Sequence, residues 1–420
     1  MIYTASLTWG IAGLAALGVI TRPFRWPEAV WAVAGSLLML VLGLIGFDEV
    51  GQGVGKGTDV YLFLIGMMLL SELARREGLF DWLAAVATAH AKGSPTRLFG
   101  LVYGVGILVT AFLSNDATAV VLTPAVYAAA RAAKVEKPLP YLLVCAFIAN
   151  AASFVLPISN PANLVIFGGG HMPPLGRWLA TFALPSAVAI AATYGCLYWT
   201  QRRTLKADTV ALEVEAPPLS HGARLAGGGL ILTAAILMAA SALGYDLGLP
   251  TFVAGTATTA LVLLLNRESP GETLRGVSWG VLPLVAGLFV IVEALDRTGL
   301  TRMLAEQLAA HAEASPEHTA MGAGLLVGFV ANLVNNLPAG LVAGSAVQAA
   351  HAPDMVSGAV LIGVDLGPNL SVTGSLATIL WLTALRREGE HVGAWQFLKL
   401  GAVVMIPALI LSLLALVAVA

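Results

Sequence analysis

Apolar runs of about twenty residues recur along this chain, the length a helix needs to cross roughly 30 Å of hydrocarbon. Read between charged or Pro/Gly-rich breaks, they predict spans near 5–21, 27–46, 58–75, 139–168, 178–200, 223–243, 249–266, 278–295, 355–385 and 395–418. Hydrophobic residues supply 58% of the 420 positions and charged residues 11%, and mean hydropathy is +0.85. Soluble globular domains do not have that composition. An all-α polytopic membrane protein is therefore expected. The first run, in "MIYTASLTWGIAGLAALGVITRPFR", has no basic residue ahead of it and positives behind it, the reverse of a secretory signal peptide. It reads as a retained first span. A net charge of -2 without a basic or acidic tail gives nucleic acid nothing to bind. Cys145 and Cys196 sit far apart in apolar surroundings and read as inert thiols, not as a disulfide framework.

Two segments do not fit as simple spans. They are 98–130, which holds "FLSNDATAVVLTP", and 319–350, which holds "ANLVNNLPAG". As one straight helix each would run to roughly 50 Å, too long for a bilayer. Folded back at its polar midpoint, each becomes a re-entrant hairpin that enters and leaves on one side.

The chain also repeats itself. "GMMLLSELARREGLFDWLA" from Gly66 aligns without gaps on "GLFVIVEALDRTGLTRMLA" from Gly287, and at nearly the same offset "LSND" from Leu113 falls on "LVNN" from Leu333. The expected organisation is a first repeat over 1–200, a cytoplasmic connector over 201–222 and a second repeat over 223–420. Five crossings and one hairpin per half make the second half insert upside down relative to the first. With both termini outside, every one of the 22 Lys and Arg falls on the inner side except Lys56, Arg177, Arg297 and Arg302. That is a strong positive-inside bias.

Backbone that is not helical survives at membrane depth only where it is buried in protein or lines a wet cavity. The two tips must then face inward. A second break follows in each half, in "PISNPANLVI" from Pro157 and "DLGPNLSVTGSLATIL" from Asp365, where Pro157, Pro161 and Pro368 remove backbone donors and Gly367 and Gly374 weaken the helix. Four interruptions are expected to converge on one midplane site. Its substrate-binding candidates are Ser114, Asn115, Asn335 and Asn336 at the tips and Asn160, Asn163, Asn369, Thr373, Ser375 and Thr378 in the broken spans, with Ser159 beside them. Amides and hydroxyls also cap half-helix N-termini, whose partial positive ends favour an oxygen-rich solute.

Asp116 and Asp365 are the acids deepest in the predicted membrane, where an ionisable residue is functional by default. Burial disfavours the charged carboxylate, so each is a candidate to take up and release a proton. Sodium ligation is the competing reading, since Asp, Ser, Thr and carbonyl oxygens suit a hard cation. Glu72 and Glu293, at span ends beside Arg75, Arg76 and Arg297, read as interfacial ion pairs. All seven histidines fall in predicted loops, against haem or an intramembrane metal site. No cofactor is expected.

"FLSNDATAVVLTP", "VNNLPAG" and "DLGPNLSVTGSLATILWL" resemble the ArsB-type arsenite and antimonite permeases of the wider ion transporter superfamily, and the similarity runs over essentially the whole chain. The resemblance implies a protein of the cell inner membrane that exports trivalent arsenic and antimony in exchange for protons, alone or with a cytosolic ArsA-type ATPase. It points to Asn115, Asp116, Asn335, Asn336, Asp365, Asn369, Ser375 and Thr378. Family members are often described with twelve spans, against the ten crossings and two hairpins expected here, a difference equal to the number of hairpins. Arsenous acid is uncharged at neutral pH and presents three hydroxyls, which amides and hydroxyls can hold. Three thiolates would hold arsenic too tightly to release, and the chain has only two cysteines. The rivals are a sodium-coupled carboxylate carrier or sodium/proton antiporter on the same scaffold and, more remotely, an intramembrane enzyme using the two aspartates.

Overall fold

The computed structural model describes residues 2–167, 172–212 and 216–420, and its regular structure there is entirely helical. The first half runs through α1 (Ile2–Thr21), α2 (Glu28–Val41), α3 (Phe47–Lys56), α4 (Thr58–Arg76), α5 (Leu79–His90) and α6 (Pro95–Phe112). It continues with α7 (Asn115–Ala117), a π turn over Thr118–Leu122, α8 (Thr123–Ala132), α9 (Leu139–Ala151), α10 (Pro161–Ile166) and α11 (Leu175–Ala207). The second half comprises α12 (His221–Ala242), α13 (Gly248–Asn266), α14 (Pro270–Gly276), α15 (Val281–Arg297), α16 (Leu300–Ala314) and α17 (Pro316–Val334). Then come α18 (Asn336–Ala349), α19 (Asp354–Leu366), α20 (Leu376–Arg387) and α21 (Ala394–Val419).

The same local signals recur at matched places. Ser94 and Ser315 cap α6 and α17, their hydroxyls accepting from the Arg97 and His318 amides at 3.3 and 3.4 Å, and a proline follows each cap. Gly78 and Gly299, at φ +77° and +87°, close α4 and α15 in the left-handed conformation that glycine adopts without strain. A short helix meets a long one at a bend in both halves, 48° between α3 and α4 and 43° between α14 and α15.

Among the described residues seven helices can cross a membrane by length and apolar character, or up to nine if each bent pair counts as one span, and the seven include α6 and α17, the first arms of the two expected hairpins. Of the remaining predicted spans, 27–46 is α2, an unbroken apolar helix of only 14 residues, and the chain breaks the other two. Positions 139–168 divide into α9 and α10, with residue 168 outside the described set, and 355–385 divides into α19 and α20. Helices α3, α5, α14 and α16 lie where the sequence suggests connections only, because short amphipathic helices lack the unbroken apolar run that marks a span. Helix α11 continues to Ala207 and α12 begins at His221, so the link between halves shortens to 208–220, of which 213–215 lie outside the described residues.

The halves pack into each other. Helix α4 lies against α13, α2 against α15, and α11 against α21. The first of these contacts depends on small residues: a Cβ on Gly66 would sit 2.3 Å from the Thr251 carbonyl oxygen, and one on Gly255 would sit 2.6 Å from that of Gly66. Backbone approach of this kind is how helices associate where apolar burial gives no advantage over lipid. Ion pairs tie the ends. Lys56 meets Glu293 at 2.6 Å and Arg297 meets Glu49, while Arg76 reaches Glu272 at 2.8 Å and Glu268 at 3.3 Å. Both partners of each pair fall on the same side in the predicted alternation of spans. Glu293 thus pairs with Lys56 instead of the expected Arg297, whereas Glu72 does pair with Arg75, at 2.6 Å.

Candidate functional site

Helix α6 gives way to α7 at Leu113 and Ser114, where the tip of the first hairpin is expected. The Ser114 hydroxyl accepts the Ala117 amide at 3.2 Å and the Asn115 side-chain oxygen accepts the Asp116 amide at 2.9 Å, so polar side chains satisfy the start of the return arm. Among the described residues none donates a hydrogen bond to the Asp116 carboxylate, which is half-buried at the tip. The π turn that follows precedes Pro124, which has no N–H to give the helix. A bond of 2.8 Å between the Thr110 and Thr118 hydroxyls holds the two arms together.

Helices α17 and α18 meet at Asn335, the expected second tip, which adopts φ +76°. Its side-chain oxygen accepts from the Leu337 amide at 3.3 Å and its Nδ2 donates to the Thr373 carbonyl at 3.4 Å. The Asn336 amide donates to the Gly374 carbonyl at 2.9 Å, which joins this tip to the second broken span. Asn332 reinforces the junction. Its Nδ2 donates to the Gly328 and Gly367 carbonyls at 2.8 and 3.0 Å, and its oxygen accepts from the Ser371 hydroxyl at 2.8 Å.

Between α9 and α10 the chain is extended at Asn160. The Asn160 side-chain oxygen accepts the Ala162 amide at 3.0 Å, and its Nδ2 donates to Asp365 Oδ1 at 2.8 Å. Asn163 donates to the Ser153, Leu156 and Pro157 carbonyls at 3.0, 3.3 and 3.3 Å. Across the site Asn369 accepts from Asn150 Nδ2 at 3.0 Å and donates to the Phe147 carbonyl at 2.9 Å, while the Ser375 hydroxyl caps the Thr378 amide at 3.1 Å.

A cavity of about 20 Å³ lies where the interruptions meet, walled by Asn115, Asp116, Asn160, Asn336 and Ser375 on the polar side and by Val60, Leu64, Val281 and Val285 from α4 and α15. A void that size admits about one water. It adjoins a vestibule of about 580 Å³ that shares Asp116, Leu64, Pro161 and Val281 with it, takes in Ser114, and extends to Glu72, Arg75, Arg387 and Glu388. No Lys or Arg lines the inner cavity.

The predicted site residues therefore separate into two groups. Asn115, Asp116, Asn160, Asn336 and Ser375 share one wall, and Ser114 faces the vestibule. Asn163, Asn335, Asn369, Thr373 and Thr378 are spent on carbonyls, caps and each other and do not reach the cavity wall. Asp365 does not line it either: it is fully buried, one hydrogen bond behind Asn160. Asn150, Ser153, Asn332 and Ser371 were not among the candidates, although an amide inside the apolar "VCAFIANAASFVLP" or three positions before Asn335 is itself a signal. The six described histidines are all exposed, four of them in helices instead of loops (His90, His221, His311 and His318), and His171 lies outside the described residues. Among the described residues no group of three or more His, Cys, Asp or Glu is placed to hold a metal.

The sequence pattern "CitMHS: Citrate transporter" matches residues 16–366. The chain belongs to this family of the ion transporter superfamily. The chain is 29% identical to the arsenical pump membrane protein of Yersinia enterocolitica over 93% of its own length and 92% of that protein's. Against the arsenical pump membrane protein of Escherichia coli K12 it is 28% identical, with 92% of each chain covered. Solved structures share the fold: the YdaH transporter of Alcanivorax borkumensis has a TM-score of 0.55 at 17% identity, covering 89% of this chain and 87% of that one. MtrF of Neisseria gonorrhoeae has a TM-score of 0.51 at 13% identity, covering 89% and 82%. A family of multi-pass membrane transporters thus accounts for the broken helices and the enclosed polar site.

Proposed function

We propose that this protein exports arsenite and antimonite from the cytoplasm across the cell inner membrane in exchange for protons, with Asp116 as the acid that couples the two. The observation that carries the reading is the Asp116 carboxylate, without a donor among the described residues, at the junction of an amide-lined cavity and a wide vestibule. The relatives named as arsenical pumps point to the solute. Its chemistry agrees with the wall, since an uncharged trihydroxy acid matches amide and hydroxyl groups.

The vestibule ends at Arg75 and Arg387, which the positive-inside rule assigns to the cytoplasm, so this conformation loads from within. Solute enters through it as far as Ser114 and Asp116, and the inner cavity, which admits about one water in this conformation, widens to take it against Asn115, Asn160, Asn336 and Ser375 as the proton leaves Asp116 for the cytosol. The hairpins and broken helices then move against the remaining spans, and Asp116 is reprotonated from outside. In our reading the halves 1–200 and 223–420 are inverted repeats; the recurrent order of elements, the crossed packing of α2 and α4 with α15 and α13, and the same-side ion pairs support it. A cytosolic ArsA-type ATPase would dock at the Arg75 and Arg387 end.

A carboxylate carrier needs positive donors at its site, and the inner cavity has none. Arsenite uptake into everted vesicles under an imposed proton gradient, with and without sodium, tests the proposal. Uptake that follows the proton gradient supports it; uptake that requires a sodium gradient, or none at all, overturns it.

A further inference from the structure

Helices α9, α11 and α21 enclose a crevice of about 280 Å³ that shares no wall residue with the inner cavity or the vestibule. Its floor is apolar, from Leu143 on α9 and Leu400 and Val403 on α21. Its rim is polar, from Gln201 on α11 and Gln396 and Lys399 on α21. Gln396, Lys399, Leu400 and Val403 follow at i, i+3, i+4 and i+7, which places them on one face of α21. The polar pair comes first after the helix starts at Ala394, so along α21 the crevice grades from polar at the helix end to apolar in depth.

The charge around it is one-sided. None of α9, α11 and α21 carries an Asp or Glu, while α11 ends in Arg202, Arg203 and Lys206 and α21 adds Lys399. All four cations are exposed, and among the described residues none of them forms an ion pair. Arg203 stands three positions on from Thr200, another wall residue, and so shares its face of α11. Asp208, just past α11, turns its carboxylate to the Glu136 and Lys137 amides at 3.1 and 3.4 Å. Ahead of α9, Lys134 and Lys137 outweigh Glu136, and ahead of α21, Glu388 and Glu390 are matched by Arg386 and Arg387. Two exposed tryptophans stand beside the cations: Lys399 Nζ lies 5.2 Å from the centre of the Trp395 ring, and the Arg202 guanidinium 5.6 Å from that of Trp199. Indoles collect at the headgroup level of a bilayer, and this end of the helices is the one the positive-inside rule assigns to the cytoplasm.

A cation-rimmed mouth over an apolar floor, level with the headgroups, matches a lipid that is negative at one end and hydrocarbon at the other. Lys399 and Arg203 supply charge-assisted donors to a phosphate, the side-chain amides of Gln201 and Gln396 supply neutral ones, and Leu400 and Val403 line the way for a chain. A zwitterionic lipid brings its own cation to this rim and gains less. We infer that the crevice between α9, α11 and α21 is a binding site for an anionic phospholipid of the cytoplasmic leaflet. Its volume is close to that of the smallest ligand pockets, about 300 Å³, so it seats the headgroup end and the start of one chain and leaves the rest in the bilayer. The site goes beyond the transport reading and does not depend on it, because lipid binding requires neither arsenite nor a gradient.

The test is non-denaturing mass spectrometry of the purified full-length protein in detergent, titrated with phosphatidylglycerol or with phosphatidylcholine of the same acyl chains. The first phosphatidylglycerol should bind more tightly than the first phosphatidylcholine. Lys399 is exposed, so Lys399→Gln keeps the fold, and it should weaken phosphatidylglycerol about fivefold, the worth of one Lys or Arg near an anionic surface, without moving phosphatidylcholine. Val403→Trp fills the floor and should abolish the preference by blocking the chain. Equal affinity for the two lipids in the wild type, or a preference undiminished in Lys399→Gln, overturns the site. Inorganic phosphate at the same concentration should not displace the lipid; displacement makes the ligand a free anion and overturns the lipid assignment. A dimer that forms in place of the lipid-bound monomer overturns it as well, since the crevice is then covered by a second copy.

Discussion

Asn160 stands with its side chain on the cavity wall and its Nδ2 2.8 Å from the buried Oδ1 of Asp365. One amide thus separates the cavity from an acid sealed in the core. Replacing it by alanine removes a donor from a buried carboxyl group, a change that costs about 1–3 kcal/mol. Asn160→Ala should lower the midpoint of thermal denaturation in detergent, and an unchanged midpoint would show that Asp365 does not rely on this contact.

Asp116 contrasts with Asp365. Its backbone amide is held by Asn115, while no described residue donates to its carboxylate, so Asp116→Asn should leave the folded protein intact. Proton-driven arsenite uptake into proteoliposomes should nevertheless be abolished. Undiminished antiport by this variant rules Asp116 out as the proton carrier.

The α4–α13 contact has no room for a methyl group at Gly66, where a Cβ would lie 2.3 Å from the Thr251 carbonyl oxygen. The clash is with backbone and cannot be relieved by turning a side chain. Gly66→Ala should destabilise the protein by about 1–3 kcal/mol, the usual range for overpacking. Gly104, whose added Cβ meets nothing within 4 Å, is the control and should tolerate alanine in the same denaturation experiment.

Ion pairs should differ in worth by burial. Lys56 meets a buried Glu293, so Lys56→Ala should cost about 1 kcal/mol, toward the upper end for pairs with one exposed partner. Arg302 pairs with Glu306 in open surroundings, and Arg302→Ala should leave the denaturation midpoint where it was.

The cysteines should be dispensable. Cys145 is fully buried and points its thiol at the Tyr141 carbonyl, 3.8 Å away, off the cavity wall. Cys145→Ser together with Cys196→Ser should preserve arsenite resistance at normal expression. Loss of resistance would bring thiol coordination back into the mechanism.

Much of this was legible in the sequence because interruptions in a greasy chain are written locally. Pro161, Asn335 and Gly367 announce where helices stop, and the structure breaks at each of those places. The separation of Asn160, which faces the cavity, from Asn163, which holds three carbonyls, was not legible. The two residues are alike in type and three positions apart, and only the path of the chain between Ser153 and Pro157 decides which amide is used up. The partner of Glu293 was hidden for a similar reason. Lys56 reaches it from the end of α3, a helix too short and too charged to register beside true spans.

The exchange of partners between halves, with α2 and α4 seated on α15 and α13, bears on how the molecule is made. A ribosome that has delivered only the first half leaves those helices facing lipid where their mates will later sit. Assembly must wait for the rest of the message, and a truncated product would remain an open surface for membrane proteases to recognise.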